Sequence, residues 1–141
     1  MKYSLDRFID AQAEYYERAF NEIKEWKKTS HWIWYIFPQL RGLGYSDLAN
    51  YYGIEGLEEA KRYIENDCLR ENLVNITKEL LSLDGDIEYI LGYPDNLKLQ
   101  SSMTLFKYAD PNESVYSEVL DKFYYGKEDQ ITKNKIKMKR F

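Results

Sequence analysis

An all-α fold, a single compact bundle of about six or seven helices, is predicted by three features of this sequence. Apolar residues recur at three- and four-residue spacing through the first 28 positions. A second stripe, Leu69, Leu73, Ile76, Leu80 and Leu83, is equally regular. Only one stretch alternates as a strand would, and it has no second strand to pair with. At 141 residues the chain fits one domain with one core. The expected division is a helical domain over residues 1–137 and a basic tail over 138–141.

Ser4 can cap the first helix, with Asp6 and Arg7 in its first turn. Leu5, Phe8, Ile9, Tyr15, Tyr16, Ala19, Phe20, Ile23 and Trp26 then trace one face as far as Lys28, with Gln12 inside that stripe. An aromatic segment follows, in which Pro38 ends a local helix. Gly42 and Gly44 form a turn into a short helix capped by Ser46 and stopped at Gly53. Gly56 opens another, with Leu57, Ala60 and Ile64 on one face, and Asp67 can cap the long helix that carries the leucine stripe. A turn at 83–86, a short helical piece at 87–91 and a break at 92–95 come next. Residues 97–106 read either way, because Leu97, Leu99, Met103 and Leu105 alternate while Leu99, Met103 and Phe106 fit a helix. Helix is preferred, with Asp95 as its cap. A further helix over 113–125 ends at Gly126, and a weaker one covers 129–137.

Composition excludes several classes. The hydrophobic fraction of 44% suffices for a core, while 31% charged residues and a mean hydropathy of −0.66 describe a solvated surface. The longest apolar run, residues 32–37, is far shorter than the ~20 residues of a membrane span, and no secretory h-region opens the chain. With a single cysteine, no intrachain disulfide forms, and a cytoplasmic location is expected. The net charge of −4 is uneven: residues 126–141 carry +4 and the first 125 carry −8. An acidic body argues against nucleic acid as a partner, and the basic end reads as a solvated, fraying terminus.

Walker, GxGxxG, GxSxG, HExxH and CxxC motifs are all missing, and one His with one Cys makes a zinc site improbable, so no metal or cofactor is expected. Cys68 is a poor nucleophile candidate: a helix start favours its thiolate, but Asp67 opposes it. Two segments remain. The first, His31-Trp32-Ile33-Trp34-Tyr35-Ile36-Phe37-Pro38-Gln39-Leu40-Arg41-Gly42-Leu43-Gly44, reads as a hydrophobic plug at Ile33, Ile36 and Phe37. Its polar members, His31, Gln39 and Arg41, need hydrogen bonds or a solvated cavity. Trp32 or Trp34 beside Arg41 suits stacking on a flat ligand or nucleobase. In the second, Lys98, Ser101 and Ser102 lie near one helix face and suit a phosphate or carboxylate; hydroxyls back-bonding to helix carbonyls are the alternative. Gln12 is either a ligand contact or a satisfied buried amide.

Both segments resemble signatures of the mainly bacterial family catalogued as domain of unknown function 1810. The first does so from Ser30 to Gly44, and the second from Asp95 to Phe106 (Asp95-Asn96-Leu97-Lys98-Leu99-Gln100-Ser101-Ser102-Met103-Thr104-Leu105-Phe106). Phe8, Ala11-Gln12 and Tyr16 fit the family's opening helix, and Glu58-Glu59-Ala60 with Tyr63 its middle one. Ile33 stands where the family often has Met, and Gln100 where it often has Arg. The resemblance implies a mainly α-helical fold and confers no catalytic role.

The functional expectation is a pocket between the two segments for a small phosphorylated or nucleotide-like ligand. Trp32 or Trp34 would stack, Arg41 and Lys98 would hold an anion, and Ser101 and Ser102 would donate hydrogen bonds. His31, the one side chain titrating near neutrality, is the candidate catalytic acid or base. The alternative is a non-enzymatic protein-interaction module, with the aromatic segment as core or partner contact. Neither reading sets an oligomeric state.

Overall fold

Helix α1 (Asp6–Lys24) starts where the sequence predicts, with the Ser4 hydroxyl accepting the Asp6 amide at 3.1 Å, but stops a turn early. Its end is set by Glu22, whose carboxylate accepts the backbone amides of Thr29 and Ser30 at 2.8 and 3.0 Å and folds the chain back on itself. Trp26 consequently leaves the apolar stripe: it takes a left-handed backbone (φ 67°) and stands 42% exposed. The computed structural model describes residues 3–138. Among them, eight further helices follow: α2 (Ile33–Ile36), α3 (Asp47–Tyr52), α4 (Leu57–Glu65), α5 (Asp67–Leu81), α6 (Ile87–Leu91), α7 (Asp95–Ala109), α8 (Val115–Tyr124) and α9 (Gln130–Met138).

The all-helical class is as predicted, but the described residues form nine helices, not six or seven. The local helix expected before Pro38 is the single turn of α2, too short to leave a periodic signature of its own. Ser46 caps α3 through its hydroxyl, as expected. Two caps differ. Asn66, one residue earlier than Asp67, accepts the Leu69 amide at 3.0 Å and caps α5, leaving Asp67 to pair with Arg70 at 2.8 Å. Pro94 occupies the cap position of α7, and Asp95 lies inside the helix with its carboxylate turned to two lysines.

Helix α7, ambiguous in sequence, is the hub. Six consecutive residues, Ser101 to Phe106, are buried, because α2, α4, α6, α8 and α9 pack around it. A helix covered on all sides needs no polar face, so its helical period is lost. Much of the aromatic segment is core: Trp32, Ile33, Ile36 and Phe37 are each 1% exposed. Burying one such side chain contributes roughly 1.5–3 kcal/mol. A single parallel bridge, Leu40 to Ile54, ties the segment to the loop before α4 through Arg41 N–H to Ile54 O and Ile54 N–H to Gln39 O, both 2.8 Å.

Where it is described, the basic end packs against the bundle. Asp129 caps α9 by accepting from the Thr132 amide and hydroxyl at 2.9 and 2.6 Å, and its own amide donates to the Thr104 hydroxyl of α7 at 2.9 Å. Thr132 and Ile136 are buried, and Glu128 receives Lys107 and Lys133 at 3.0 Å each. Of the tail expected at 138–141, residues 139–141 lie outside the described residues, as do the first two residues of the chain.

Candidate functional site

Where the aromatic segment leaves the core at Pro38, it runs past the start of α7 and the start of α9. A cleft of about 350 Å³ opens between the three. Gln39, Leu43 and Gly44 form one wall, Pro94, Leu97, Lys98, Gln100 and Ser101 the second, and Asp129 and Ile131 the third. Gly44 also lies tight against α3, where a Cβ would meet the Ala49 methyl at 2.9 Å.

The most telling group is Gln39. It is only 8% exposed, and its carboxamide makes no hydrogen bond among the described residues, although its backbone carbonyl holds the Ile54 bridge. Neither polar atom of that carboxamide is sealed from solvent, so its hydrogen-bonding capacity is open to the cleft it lines. Lys98 sits across from it. Its ammonium lies 3.5 Å from Asp95 Oδ1 and 5.0 Å from the Trp34 ring centre, a cation–π contact that fixes its position. Asp95 also receives Lys28, at 2.8 Å through Oδ2, and Lys28 in turn lies 5.0 Å from the Trp32 ring centre. Two lysines thus share one carboxylate. Ser101 donates to Leu97 O at 3.2 Å, which leaves its oxygen able to accept. The carboxamide of Gln100 is engaged with Lys127 O at 2.9 Å, and one Asp129 oxygen with the α9 cap.

The other candidates are distributed elsewhere. Trp32 is buried, with its indole N–H donating to Glu22 at 2.9 Å, so it offers no face for stacking. Trp34 carries Lys98 on its ring, and its buried indole N–H has no partner. Ser102 is fully buried beside the cleft wall, its hydroxyl also without a partner. His31 is exposed and lines a different cleft, of about 530 Å³, with Tyr15, Arg18, Tyr35 and Tyr52. Arg41 lines a third cavity, its guanidinium tied to Asn50 O and Gly53 O at 2.8 and 2.9 Å. The structure therefore brings Gln39, Lys98 and Ser101 together, and places His31 and Arg41 at other openings.

Gln12 has a structural role. It donates to Tyr35 O and to the Tyr63 hydroxyl, both at 2.8 Å, and accepts from Asn72 at 3.0 Å, joining α1, α2, α4 and α5. Gln12→Ala is expected to lower stability by about 2 kcal/mol, read by urea denaturation. A change under a few tenths would show that water replaces those bonds without loss.

Sequence reasoning missed Lys28, Asp95 and Asp129. The Asp95–Lys98 spacing carries a signal, since three residues apart on a helix are neighbours. Nothing local connects Lys28 or Asp129 to the cleft. Among the described residues, no group of three or more His, Cys, Asp or Glu is placed to hold a metal ion, and no helix is long and apolar enough to cross a membrane.

The two segments that meet at this cleft are the two signature segments, and the family match extends beyond both. Residues 2–136 match the family described as "Protein of unknown function (DUF1810)". The chain belongs to that family. Its fold is similar to that of a crystallised protein from Mycobacterium tuberculosis, described as the conserved hypothetical protein Rv1873. The two share 46% identity with a TM-score of 0.88, over 91% of this chain and 92% of that one. No protein with a curated description matches significantly.

Proposed function

We propose that this DUF1810 member binds a small phosphorylated or nucleotide-like molecule in the Gln39–Lys98 cleft. The observation that carries this reading is the Gln39 carboxamide: on a largely buried residue, it has no hydrogen-bond partner among the described residues and lines a cleft that also holds a lysine. A carboxamide supplies one acceptor and two donors, the set that reads the edge of a base or a sugar hydroxyl. Lys98 supplies the charge for a phosphate, and it shares the Asp95 carboxylate with Lys28 instead of having it to itself. Pro94, Leu97, Leu43 and Ile131 give the apolar walls against which a flat body lies. At 350 Å³ the cleft stands at the small end of ligand sites, which favours a mononucleotide-sized ligand or smaller. His31 lies in a different cleft, so the reading is one of binding and assigns no catalytic step.

The alternative is a non-enzymatic interaction module. It draws support from Tyr93 and Leu97, 72% and 46% exposed at the start of α7, and from Ile131, 59% exposed.

A panel of nucleotides and sugar phosphates, scored by thermal shift, separates the two. A ligand present at 100 Kd stabilises by about 2.7 kcal/mol, and that gain is expected to vanish in Lys98→Ala and in Gln39→Ala. A hit that survives both substitutions binds elsewhere, and a panel with no hit favours the interaction module.

A further inference from the structure

A second cavity, of about 340 Å³, opens beneath the Leu40–Ile54 bridge, between the aromatic segment, the start of α4 and α9. Leu40, Leu57 and Ile136 make its apolar wall. Its charged members are Arg41, Lys135 and Glu55, two cations against one carboxylate in a protein that is acidic overall.

Among the described residues, no further carboxylate is free to neutralise that excess. Gly53 O accepts from two guanidinium groups at once, Arg7 at 3.0 Å and Arg41 at 2.9 Å. The nearby carboxylate of Glu59 is committed to Arg7 and to the Glu55 amide. Arg41 is held by two backbone carbonyls and by the Tyr3 ring, 5.1 Å away, with no carboxylate on it and Nη1 making no hydrogen bond among the described residues. Lys135 makes no hydrogen bond or ion pair among the described residues. Its ammonium instead packs on Gly42, where a Cβ would stand 3.3 Å from Nζ and where φ is +100°. A positive φ and this close approach both call for glycine. Two like charges on an apolar wall raise each other's energy, and an anion placed between them relieves it.

We infer that this cavity is a binding site for a small organic anion, one carboxylate attached to an apolar body. Arg41 and Lys135 hold the carboxylate, and Leu40, Leu57 and Ile136 cover the body. The site is separate from the Gln39–Lys98 cleft and does not depend on the ligand proposed there.

The test is titration of the ¹⁵N-labelled full chain with octanoate below its micelle concentration, with octanamide and acetate as controls. Octanoate is expected to shift the amide resonances of Gly42, Gly56 and Ile136 in a saturable way. Octanamide, which lacks the charge, and acetate, which lacks the body, are expected to bind at least tenfold more weakly. Lys135→Gln removes no contact that holds the fold and is expected to weaken octanoate at least fivefold without moving the melting temperature. Lys98→Ala is expected to leave octanoate binding unchanged. Equal binding of octanoate and octanamide, shifts confined to other residues, or no effect of Lys135→Gln would each overturn the assignment.

Discussion

Replacing Glu59 by alanine is expected to destabilise the fold by about 3–5 kcal/mol. Arg7 and Glu59 face each other with side chains 1% exposed, joined by two parallel bonds of 3.2 Å, Nη1 to Oε2 and Nη2 to Oε1. Removing the carboxylate leaves a guanidinium buried without a counter-charge, and that uncompensated charge is the main cost. Arg7 would retain carbonyl partners at Ser4, Tyr51 and Gly53, which lessen the loss without cancelling it. Through Gly53 the same pair also braces the loop that carries the Ile54 bridge. Urea denaturation gives the magnitude, and a double-mutant cycle with Arg7→Met isolates the coupling between the two. A loss below about 1 kcal/mol would mean that the carbonyls alone hold Arg7. Hydrogen exchange supplies an independent reading, since the Ile54 amide is expected to lose protection in Glu59→Ala.

That pair also marks the limit of what could be read from the sequence. Arg7 was legible as a first-turn residue of α1, and Glu59 as part of a middle helix, but nothing in the spacing joins residues 52 positions apart. The elements that were legible are those with one wet face, α1 and α5, because a half-buried helix writes its period into the sequence. Helix α7 was legible only as a preference over a strand, and for the opposite reason: once Ser101 to Phe106 are all covered, small and apolar residues alternate freely. The Gly-flanked turns and the Ser46 cap were legible since their chemistry is local.

The cleft follows the same division. Gln39, Lys98 and Ser101 stood out as polar groups beside apolar runs, and the fold gathers them on one opening. His31 and Arg41 stood out for the same reason, yet they line other openings, because the chain turns at Pro38 and again at Gly42. Proximity in sequence is a poor guide across two turns. Trp32 illustrates the complementary error. An indole near cations looked like a stacking surface, but its N–H is the fourth donor to Glu22, and the ring is drawn into the core.

Glu22 carries the second large prediction, a loss of stability between about pH 5 and pH 2. Its carboxylate accepts from the Thr29 and Ser30 amides, the Trp32 indole at 2.9 Å and the Ser30 hydroxyl at 2.6 Å. Burial alone would raise its pKa, but the hydrogen bonds from Ser30, Trp32 and Thr29 outweigh it and bring the value down to about 2, against 4.5 for the ordinary group. The unfolded chain therefore takes up a proton at a higher pH than the folded one. Stability contributed by Glu22 is complete above the unfolded value and is lost as pH falls towards the folded one. The difference between the two amounts to about 3 kcal/mol. Glu22→Gln cannot titrate, and its amide group presents donors where four donors already converge, so it is expected to be less stable than the native chain by about 2–3 kcal/mol at pH 7. As pH falls to 3, the native chain should lose ground and the two should approach each other. Urea titrations at pH 7, 5, 4 and 3 measure this directly. Parallel losses in both proteins would assign the acid sensitivity to other carboxylates. A converging pair, accompanied by a change in indole emission, would place it at the contact that turns the end of α1 into the aromatic segment.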